Sequence, residues 1–364
     1  MQTTPIPLHA IKGRGAARAI AHRFSKDERE GFDDGWEGLN HTAQEQSERI
    51  PIATQVHFED VKSVITRNDS PDIFFDASIN PYRGCEHGCV YCFARPTHSY
   101  LNLSPGLDFE TQIIAKRNIA DVLRGELAKK CYTPKLLNIG SATDCYQPIE
   151  RELRLTRAVI EVLGQARHPY SLLSKSSGVE RDIDLIAAHA HSKRSAIYIS
   201  ITTLDPHLAR IMEPRAAAPH RRLRTVRALA DAGIPVGVSV APQIPFINED
   251  MEQVLEAARD AGAQTAFYTV LRLPWEVNPI FKEWLQLHYP QRADRVMARV
   301  RDMRGGKDYD SDWATRMKGE GLWAELLKQR FEKTCARLGL NHVRHELDFS
   351  QFRPLDVGGQ ESLF

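Results

Sequence analysis

Three closely spaced cysteines are the residues of this chain best suited to chemistry. Cys85, Cys89 and Cys92 form a C-x3-C-x2-C loop within residues 80–93, which read Asn-Pro-Tyr-Arg-Gly-Cys-Glu-His-Gly-Cys-Val-Tyr-Cys-Phe. This spacing offers three thiolates to one metal centre and leaves a fourth position open. A four-iron cluster bound by three cysteines keeps one iron free for an exchangeable group. An open coordination position indicates chemistry rather than a purely structural role.

A zinc site is the alternative interpretation of the same loop. A structural zinc site would need a fourth Cys or His to complete its tetrahedron. His87 lies inside the loop, too close in the chain to its neighbours, and His98 is the other candidate at short range. Zinc-binding sequences usually place their cysteines in pairs, so this spacing favours an iron-sulfur cluster.

The loop resembles the cysteine motif of the radical S-adenosylmethionine (SAM) enzymes, including the aromatic Tyr91 just before the last cysteine. The resemblance implies a [4Fe-4S] cluster bound by Cys85, Cys89 and Cys92, with Tyr91 contributing to cofactor binding. It also implies that the open iron chelates the amino and carboxylate groups of SAM. Reduction by an external electron donor would then cleave SAM to methionine and a 5′-deoxyadenosyl radical, which abstracts a hydrogen atom from a substrate.

The composition is that of a globular protein. The 364 residues are 42% hydrophobic and 26% charged, and the formal net charge is +1. This charge makes no overall case for nucleic-acid binding, so any basic face must be local. The absence of a membrane-spanning apolar run and of an apolar leader predicts a cytoplasmic protein. The six cysteines fit a reducing compartment and a metal site better than a disulfide framework.

A repeated alternation of strand and helix patterns predicts the fold of residues 73–275. Such an alternation indicates a parallel sheet with crossover helices. Because no G-x-G-x-x-G motif follows the first strand, we predict an α/β partial (β/α)6 TIM-like barrel, the fold that the radical SAM resemblance also implies. Its site would lie at the carboxyl ends of the strands, where the cysteine loop begins. The predicted strands are 74–79, 136–139, 170–173, 196–201, 236–240 and 266–271; the predicted helices are 111–129, 151–166, 179–191, 219–232 and 249–261.

The segments that flank the barrel have a different character. Residues 1–72 form an N-terminal extension in which a basic stretch precedes an acidic one, and this pattern predicts a mobile arm or a partly ordered strap across the barrel. Residues 276–349 are predicted to be mainly helical and 350–364 to be a flexible tail. The predicted C-terminal helices are 280–289, 292–303 and 312–338, followed by a strand at 342–349.

Polar residues at the ends of three predicted strands should face the cysteine loop. Ser141 and Thr143 follow the second strand, Lys175 follows the third, and Ser200 lies at the end of the fourth. Hydroxyl groups there can donate hydrogen bonds to a carboxylate, and a lysine can pair with it. The alternative is that the hydroxyl residues cap the helices that follow.

These residues also resemble the spore photoproduct lyase-like branch of radical SAM proteins, often described as DNA repair photolyase-like. The run Asn80-Pro-Tyr-Arg-Gly-Cys and the step Ala142-Thr143-Asp144 belong to the same resemblance, which covers roughly residues 73–272. It implies that Thr143, Lys175 and Ser200 hold the methionyl part of SAM, with Ser141 also near the cofactor. It further raises the expectation of a nucleic acid substrate.

Two residues depart from that branch. Ser141 stands where spore photoproduct lyase carries the cysteine that returns a hydrogen atom, and its O–H bond is too strong for this step. Phe93 stands where that branch has a tyrosine. Cys145 is a candidate substitute donor and a candidate catalytic residue, although a bystander thiol is the alternative. The thymine-dimer reaction is therefore not transferred to this chain.

Local features suggest two partners. Basic residues between 210 and 227 could meet phosphates, and Trp275 and Trp284 could stack on bases, although solvated helix charge and core packing are the alternatives. The terminal residues Gln360 to Phe364 resemble the bacterial sliding-clamp binding motif, with Glu361 where Leu is usual. Packing of this tail back on the domain is the alternative.

The leading hypothesis is thus a radical SAM enzyme, potentially a lyase that repairs or modifies nucleic acid. A non-catalytic iron-sulfur protein for electron transfer or redox sensing is the second hypothesis, and it predicts no SAM cleavage. A clamp-associated DNA scaffold is the third, and it predicts clamp binding without SAM turnover.

Overall fold

The computed structural model describes residues 9–25, 52–343 and 346–356. Its strands are β1 (Gln55–Glu59), β2 (Thr66–Arg67), β3 (Ala77–Ile79), β4 (Tyr82–Arg83), β5 (Gln112–Lys116), β6 (Leu137–Ile139), β7 (Tyr170–Ser174), β8 (Ser195–Ser200), β9 (Val236–Gln243) and β10 (Thr265–Val270). Its α-helices are α1 (Asp108–Thr111), α2 (Ile119–Leu127), α3 (Glu150–Leu153), α4 (Leu155–Gln165), α5 (Ile183–His191), α6 (Pro206–Met212), α7 (Pro219–Asp231), α8 (Met251–Asp260), α9 (Val277–His288), α10 (Ala293–Asp302) and α11 (Gly321–Leu338). Short 3₁₀ helices cover Arg95–Leu101 and Ser177–Asp182.

Six parallel strands form the main sheet. Their order is β10-β9-β8-β7-β6-β3, and β2 adds an antiparallel edge beside β3. Helices connect the successive parallel strands, as parallel pairing requires. The fold class is therefore confirmed as the α/β partial barrel that the sequence predicts. A second, three-stranded sheet of order β1-β5-β4 lies outside this barrel.

The two faces of the main sheet differ in polarity. Ile197 and Ile199 of β8 lie in the hydrophobic core, whereas the alternate residue Ser200 pairs in register with Ser239 of β9. On the same inner face, the Asn138 side chain donates a 2.9 Å hydrogen bond to the hydroxyl of Ser171. Because side chains alternate along a strand, the apolar residues meet the helices and the small polar residues line the barrel interior.

The strand prediction for the barrel is confirmed with shifted boundaries, but one helix prediction is wrong over part of its length. Residues 112–116 of the predicted helix 111–129 form β5, which pairs in parallel with β1. Ile113 and Ala115 are buried there while their neighbours are partly exposed. This two-residue alternation is typical of a strand, and the helical pattern of α2 begins only at Ile119.

Three further boundaries differ from the sequence prediction. The predicted helix 151–166 is divided into α3 and α4 at Arg154, whose φ is 53°. The predicted helix 312–338 begins only at Gly321, because turns occupy the preceding residues. The strand expected at 342–349 is absent from the described residues of that range, where Asp348 makes one backbone hydrogen bond, to the Lys193 carbonyl.

The C-terminal helices contact the barrel at two places. Helices α9 and α10 share a hydrophobic cluster with Cys89, Val90 and Tyr91 of the cysteine loop, whereas α11 packs against α8 and β10. At the opposite end of the barrel, Tyr198 and Thr265 line a cavity of about 560 Å³. Among the described residues, none of the helices has both the length and the apolar character needed to cross a membrane.

Substitution of Gly237 tests how closely the side chains pack inside the barrel. It pairs in register with Tyr198 on one side and Thr265 on the other, and an added Cβ would lie 2.4 Å from the tyrosine ring. We expect Gly237→Ala to lower the free energy of unfolding by about 1–3 kcal/mol through overpacking. Denaturant titration would measure the change.

Gly125→Ala is the matched control for that measurement. Gly125 lies inside α2, and an added Cβ would meet no atom within 4 Å. The substitution should raise the free energy of unfolding by roughly 0.5–1 kcal/mol, because alanine favours the helix. Equal effects of the two substitutions would contradict the close packing at Gly237.

Candidate functional site

The cysteine loop begins directly after β4, at the carboxyl end of β3. The Cys85 amide donates a 2.8 Å hydrogen bond to the Phe109 carbonyl, and successive turns carry the chain through Cys89 to Cys92. Cys85 and Cys89 are buried, Cys92 is half-buried, and none of them forms a disulfide. The structure therefore brings the three predicted ligands together on one loop as free thiols.

A buried arginine holds this loop in shape. Arg95 is fully buried, and its guanidinium donates hydrogen bonds to the carbonyls of Gly88 and Cys89 at 3.1 and 2.9 Å. The same side chain donates to the carbonyls of Pro105 and Gly106 and forms an ion pair with Glu110. Because one planar group satisfies so many acceptors, the loop cannot move without exposing an uncompensated charge.

The N-terminal extension lies against the outside of the loop. The amides of Gly15 and Ala16 both donate 2.9 Å hydrogen bonds to the Glu110 carboxylate. A Cβ on Gly15 would lie 1.9 Å from the Gly88 carbonyl oxygen, so only glycine permits this approach. Residues 9–25 thus pack as a strap, one of the two arrangements that the sequence allows; the acidic stretch after residue 26 lies outside the described residues.

The Tyr91 phenol belongs to a buried polar network. Its hydroxyl donates to the Glu213 carboxylate, which also accepts a 2.7 Å hydrogen bond from Thr202 and pairs with Arg222. Burial opposes ionisation of Glu213, but the neighbouring charges of Arg222 and Lys175 lower its pKa to about 2. The Tyr91 hydroxyl is therefore engaged in anchoring the loop, and only its ring faces the site.

Lys175 is the cation that faces the cysteine loop. Its Nζ lies 5.8 Å from the centre of the Tyr91 ring and forms no hydrogen bond or ion pair with the described part of the chain. Burial tends to lower the pKa of Lys175, yet the pKa is raised because neighbouring negative charge, including that of Glu213, stabilises the ammonium. A free, charged amine at the end of β7 is suited to pair with a carboxylate.

The three hydroxyl residues Ser141, Thr143 and Ser200 differ in the hydrogen bonds that their hydroxyl groups already make. The Thr143 hydroxyl donates a 3.0 Å hydrogen bond to the Tyr82 carbonyl, and the Ser141 hydroxyl accepts one from Asn80 at 3.3 Å. The buried Ser200 hydroxyl has no hydrogen-bond partner within the described residues. Ser200 and Ser141 thus each have a hydroxyl donor available, whereas Thr143 already uses its own.

Cys145 belongs to the hydrophobic core. Its side chain is fully buried in the hydrophobic core between sheet and helices, and its carbonyl accepts a hydrogen bond from Thr156. Burial raises the pKa of its thiol well above the ordinary value. This placement is that of a core residue, so it does not favour the catalytic role considered from the sequence.

The sequence analysis missed a buried pair beneath the loop. Nδ1 of His87 lies 3.3 Å from the Asp144 carboxylate, without the alignment of a hydrogen bond. Burial opposes ionisation of Asp144, but its pKa is lowered by the neighbouring His87 ring and by hydrogen bonds from the Lys175 and Tyr146 amides. Asp144 thereby ties the end of β7 to the cysteine loop. Its place in the Ala142-Thr143-Asp144 step was the signal that could have revealed it.

The thiols have the chemistry that an iron-sulfur cluster requires. Burial raises the pKa of Cys85 and Cys92 and raises that of Cys89 to about 12, so the thiols hold protons when no metal is bound. Metal binding would release these protons. No three His, Cys, Asp or Glu side chains in the described ranges converge on a single ion, and a cluster with one cysteine per iron does not need them to.

Several of the basic residues and tryptophans that the sequence suggested for nucleic-acid binding are buried or ion-paired within the chain. Arg222 is buried against Glu213, and Arg221 pairs with Glu180, so these charges are neutralised. Trp284 is a core residue. Trp275 is 63% exposed, after β10. The Arg23 guanidinium lies 4.5 Å from the Trp275 ring and 5.0 Å from that of Tyr100.

The Glu213 network yields a stability prediction. Glu213→Gln removes the charge that compensates the buried Arg222, so we expect the free energy of unfolding to fall by about 3–5 kcal/mol. Glu256→Gln is the control, because Glu256 and Arg337 form an exposed pair at 3.5 Å; its effect should stay below about 1 kcal/mol. Similar losses for the two variants would contradict the anchoring role of Glu213.

The stabilising contribution of Glu213 to the free energy of unfolding should decrease as the pH falls. The pKa of Glu213 is about 2 in the fold and 4.5 ordinarily, so its stabilising contribution is complete above pH 4.5 and disappears as pH falls toward 2. The wild type should therefore lose stability across this range more steeply than Glu213→Gln. Denaturant unfolding at several pH values would show the difference in slope.

Comparisons with known proteins identify the family of this chain. The model of the radical SAM superfamily matches residues 79–261, about half of the chain. An uncharacterised protein of Mycobacterium tuberculosis is 34% identical over 270 residues, which cover 72% of this chain and 79% of that protein. An uncharacterised protein of Methanocaldococcus jannaschii is 28% identical over 221 residues, 60% of this chain and 78% of that protein.

Solved structures are similar at lower identity. A spore photoproduct lyase complexed with dinucleoside spore photoproduct is 17% identical, covers 78% of both chains and has a TM-score of 0.49. The radical SAM methyltransferase TsrM from Kitasatospora setae is 14% identical, covers 62% of this chain and 39% of its own, and has a TM-score of 0.40. From the family match over the cysteine loop and barrel, the chain belongs to the radical SAM superfamily, whose cofactors are a [4Fe-4S] cluster and SAM.

Proposed function

We propose that this chain is a radical SAM enzyme in which Cys85, Cys89 and Cys92 bind the cluster and Lys175 and Ser200 hold SAM. The observation that carries the proposal is the arrangement of three free thiols on one rigid loop beside an unpaired ammonium. When bound, the cluster supplies the electron that cleaves SAM to methionine and a 5′-deoxyadenosyl radical. That electron requires an external donor.

Different side chains would contribute differently to SAM binding. Lys175 would pair with the methionyl carboxylate, since its ammonium forms no ion pair with the described residues. Ser200 can add a hydroxyl donor from the neighbouring strand β8. Thr143 donates its hydroxyl to the Tyr82 carbonyl and can only accept a further hydrogen bond, whereas Ser141 accepts from Asn80 and can still donate one.

The ring of Tyr91 is the part of this residue that can contact the cofactors. Its hydroxyl is engaged with Glu213 on the far side, which fixes the orientation of the ring. The loop also shares a hydrophobic cluster with α9 and α10. This apolar packing excludes water from one side of the thiols, as a site for radical chemistry needs.

Nucleic acid is the substrate class that we propose, with repair or modification as the role. The support is an exposed aromatic group, Phe24, Tyr100 and Trp275, arranged around the Arg23 guanidinium. Tyr100 follows the cysteine loop and Trp275 follows β10, so the group lies at the end of the barrel that carries the site. The guanidinium itself is paired with Glu276 at 3.0 Å, so the support lies in the exposed rings, which are suited to stack on unpaired bases.

The two other hypotheses predict different results. A non-catalytic iron-sulfur protein would bind the cluster but form no 5′-deoxyadenosine from SAM. A clamp-associated scaffold would act through Gln360 to Phe364, which lie outside the described residues, so clamp binding stays a prediction from the sequence. The free Lys175 and Ser200 at the strand ends favour the enzyme, because neither alternative needs them. A lyase reaction also stays a prediction, since Ser141 and Cys145 offer no placed hydrogen-atom donor.

Cysteine substitutions test the cluster assignment. After anaerobic reconstitution, Cys85→Ala, Cys89→Ala and Cys92→Ala should each lose the iron and the visible absorbance of the cluster, because each removes one thiolate. Cys131→Ala is the control, since Cys131 is an exposed free thiol outside the loop. Full iron content in any of the three loop variants would remove that cysteine from the assignment.

A lysine substitution tests the SAM site. Lys175→Ala should weaken SAM binding about tenfold or more, because a charge-assisted hydrogen bond contributes about 1.5–3 kcal/mol. It should also slow the formation of 5′-deoxyadenosine from SAM and a strong reductant. Lys130→Ala, at an exposed position after α2, should leave both unchanged. Unchanged SAM affinity in Lys175→Ala, measured by equilibrium binding, would contradict the role.

A further inference from the structure

Arg272 follows β10 and has no anionic partner among the described residues. Its Nη1 lies 3.2 Å from the Sδ atom of Met317, which is a weak acceptor, and its buried Nε has no hydrogen-bond partner. A guanidinium keeps its charge at any physiological pH. A half-buried cation without a carboxylate is costly unless an anion from outside the chain completes its hydrogen bonds.

This arginine lies beside the cysteine loop. Its Cζ atom is 5.4 Å from the centre of the Phe93 ring, and Phe93 directly follows Cys92. The Phe93 ring is 48% exposed, so one part of it is open to a ligand. An unpaired guanidinium and an open aromatic ring therefore stand together where a substrate must come to meet the proposed radical.

A second arginine increases the positive charge around Arg272. Arg304 is buried, and its two Nη atoms donate 2.8 Å hydrogen bonds to the carbonyls of Thr315 and Leu271 rather than to a carboxylate. Burial first, and the nearby Arg272 charge next, lower the pKa of Arg304 to about 10. The carboxylates of Asp310 and Glu320 act on Arg304 more weakly.

A carboxylate that interacts with Arg272, Asp72, is already neutralised by another arginine. Asp72 accepts hydrogen bonds of 2.5 and 2.6 Å from Arg316. Arg316 lowers the pKa of Asp72 most, and Arg272 makes the smallest of the contributions to that pKa. The region around Arg272 thus carries positive charge that the chain itself does not balance, which favours the binding of an anion.

We propose that Arg272, together with Phe93, binds an oxyanion of the substrate, a phosphate or a carboxylate, and positions the substrate beside the third cysteine. The proposal rests on the radical SAM function proposed above and adds the chemistry by which the substrate is recognised. The planar guanidinium can present two parallel N–H groups to such an anion. The Phe93 ring can contact the planar part of the same molecule.

The test uses inorganic phosphate as the probe. Its binding to the protein without the cluster is measured as broadening of the phosphate line in phosphorus-31 NMR spectra. The wild type should broaden the phosphate line, and Arg272→Gln should weaken this binding at least tenfold. Arg295→Gln is the matched control, because Arg295 also lies over a phenylalanine, 3.9 Å from the Phe246 ring, but on α10. Equal broadening by the wild type and Arg272→Gln overturns the proposal.

Competition distinguishes the two sources of the oxyanion. Acetate that displaces phosphate from the wild type at comparable concentration would assign the site to a carboxylate substrate, and failure to displace it would assign a phosphate.

Thermal unfolding separates anion binding by Arg272 from a structural role of this residue. Without anion, the Tm of Arg272→Gln should equal or exceed that of the wild type, because two neighbouring cations no longer repel; a fall of several degrees overturns the proposal.

The phosphate measurement is independent of the proposed function. Formation of 5′-deoxyadenosine by the reconstituted wild type tests the radical chemistry, whereas line broadening tests Arg272 without the cluster. A wild type that binds phosphate through Arg272 but does not cleave SAM would contradict the enzyme and leave the anion site in place. The reverse result would leave the enzyme and remove the anion site.

Discussion

The ion pair between Arg95 and Glu110 is the interaction on which the site depends. Both side chains are fully buried, and together they bind carbonyls of the cysteine loop, the carbonyls of Pro105 and Gly106 before α1, and the amides of the N-terminal strap. Two buried charges are stable only when each finds its full set of hydrogen bonds. The three thiols therefore keep their relative positions because the segments around them satisfy this one pair. The strap residue Gly15 completes the arrangement by closing over Gly88.

The remaining charges divide into those that hold the structure and those that remain free. Glu213 and Arg222 neutralise one another behind Tyr91, and Asp144 accepts the amide of Lys175 at the end of β7. Lys175 and Arg272, which follow two strands of the barrel, form no ion pair with a carboxylate of the described residues. Unpaired positive charge near a reactive group favours the binding of anionic ligands. SAM brings one carboxylate, and we infer that the substrate brings a second anion.

Sequence patterns predicted the barrel better than the segments outside it. The strands near residues 170–174 and 195–200 are apolar on one face and flanked by turns, so their periodicity is local information. Strand β5 was mistaken for a helix because its pairing partner, β1, is more than 50 residues away in the chain. The hydroxyl residues at strand ends were found by position, but their freedom to bind a ligand depends on distant partners. Thr143 and Ser200 look alike in sequence and differ in this respect.

The sequence by itself determined the cofactor class and the fold class, because the spacing of three cysteines and the alternation of strands with helices are properties of neighbouring residues. Superfamily membership, which the family model confirms, was visible in the same loop. Only the tertiary structure decided which side chains face that loop. Arg95 and Glu110 pair across a turn, Glu213 meets Tyr91 from more than 100 residues away, and Cys145 packs into the core. Burial and charge pairing arise from the folded chain as a whole, and local spacing does not encode them.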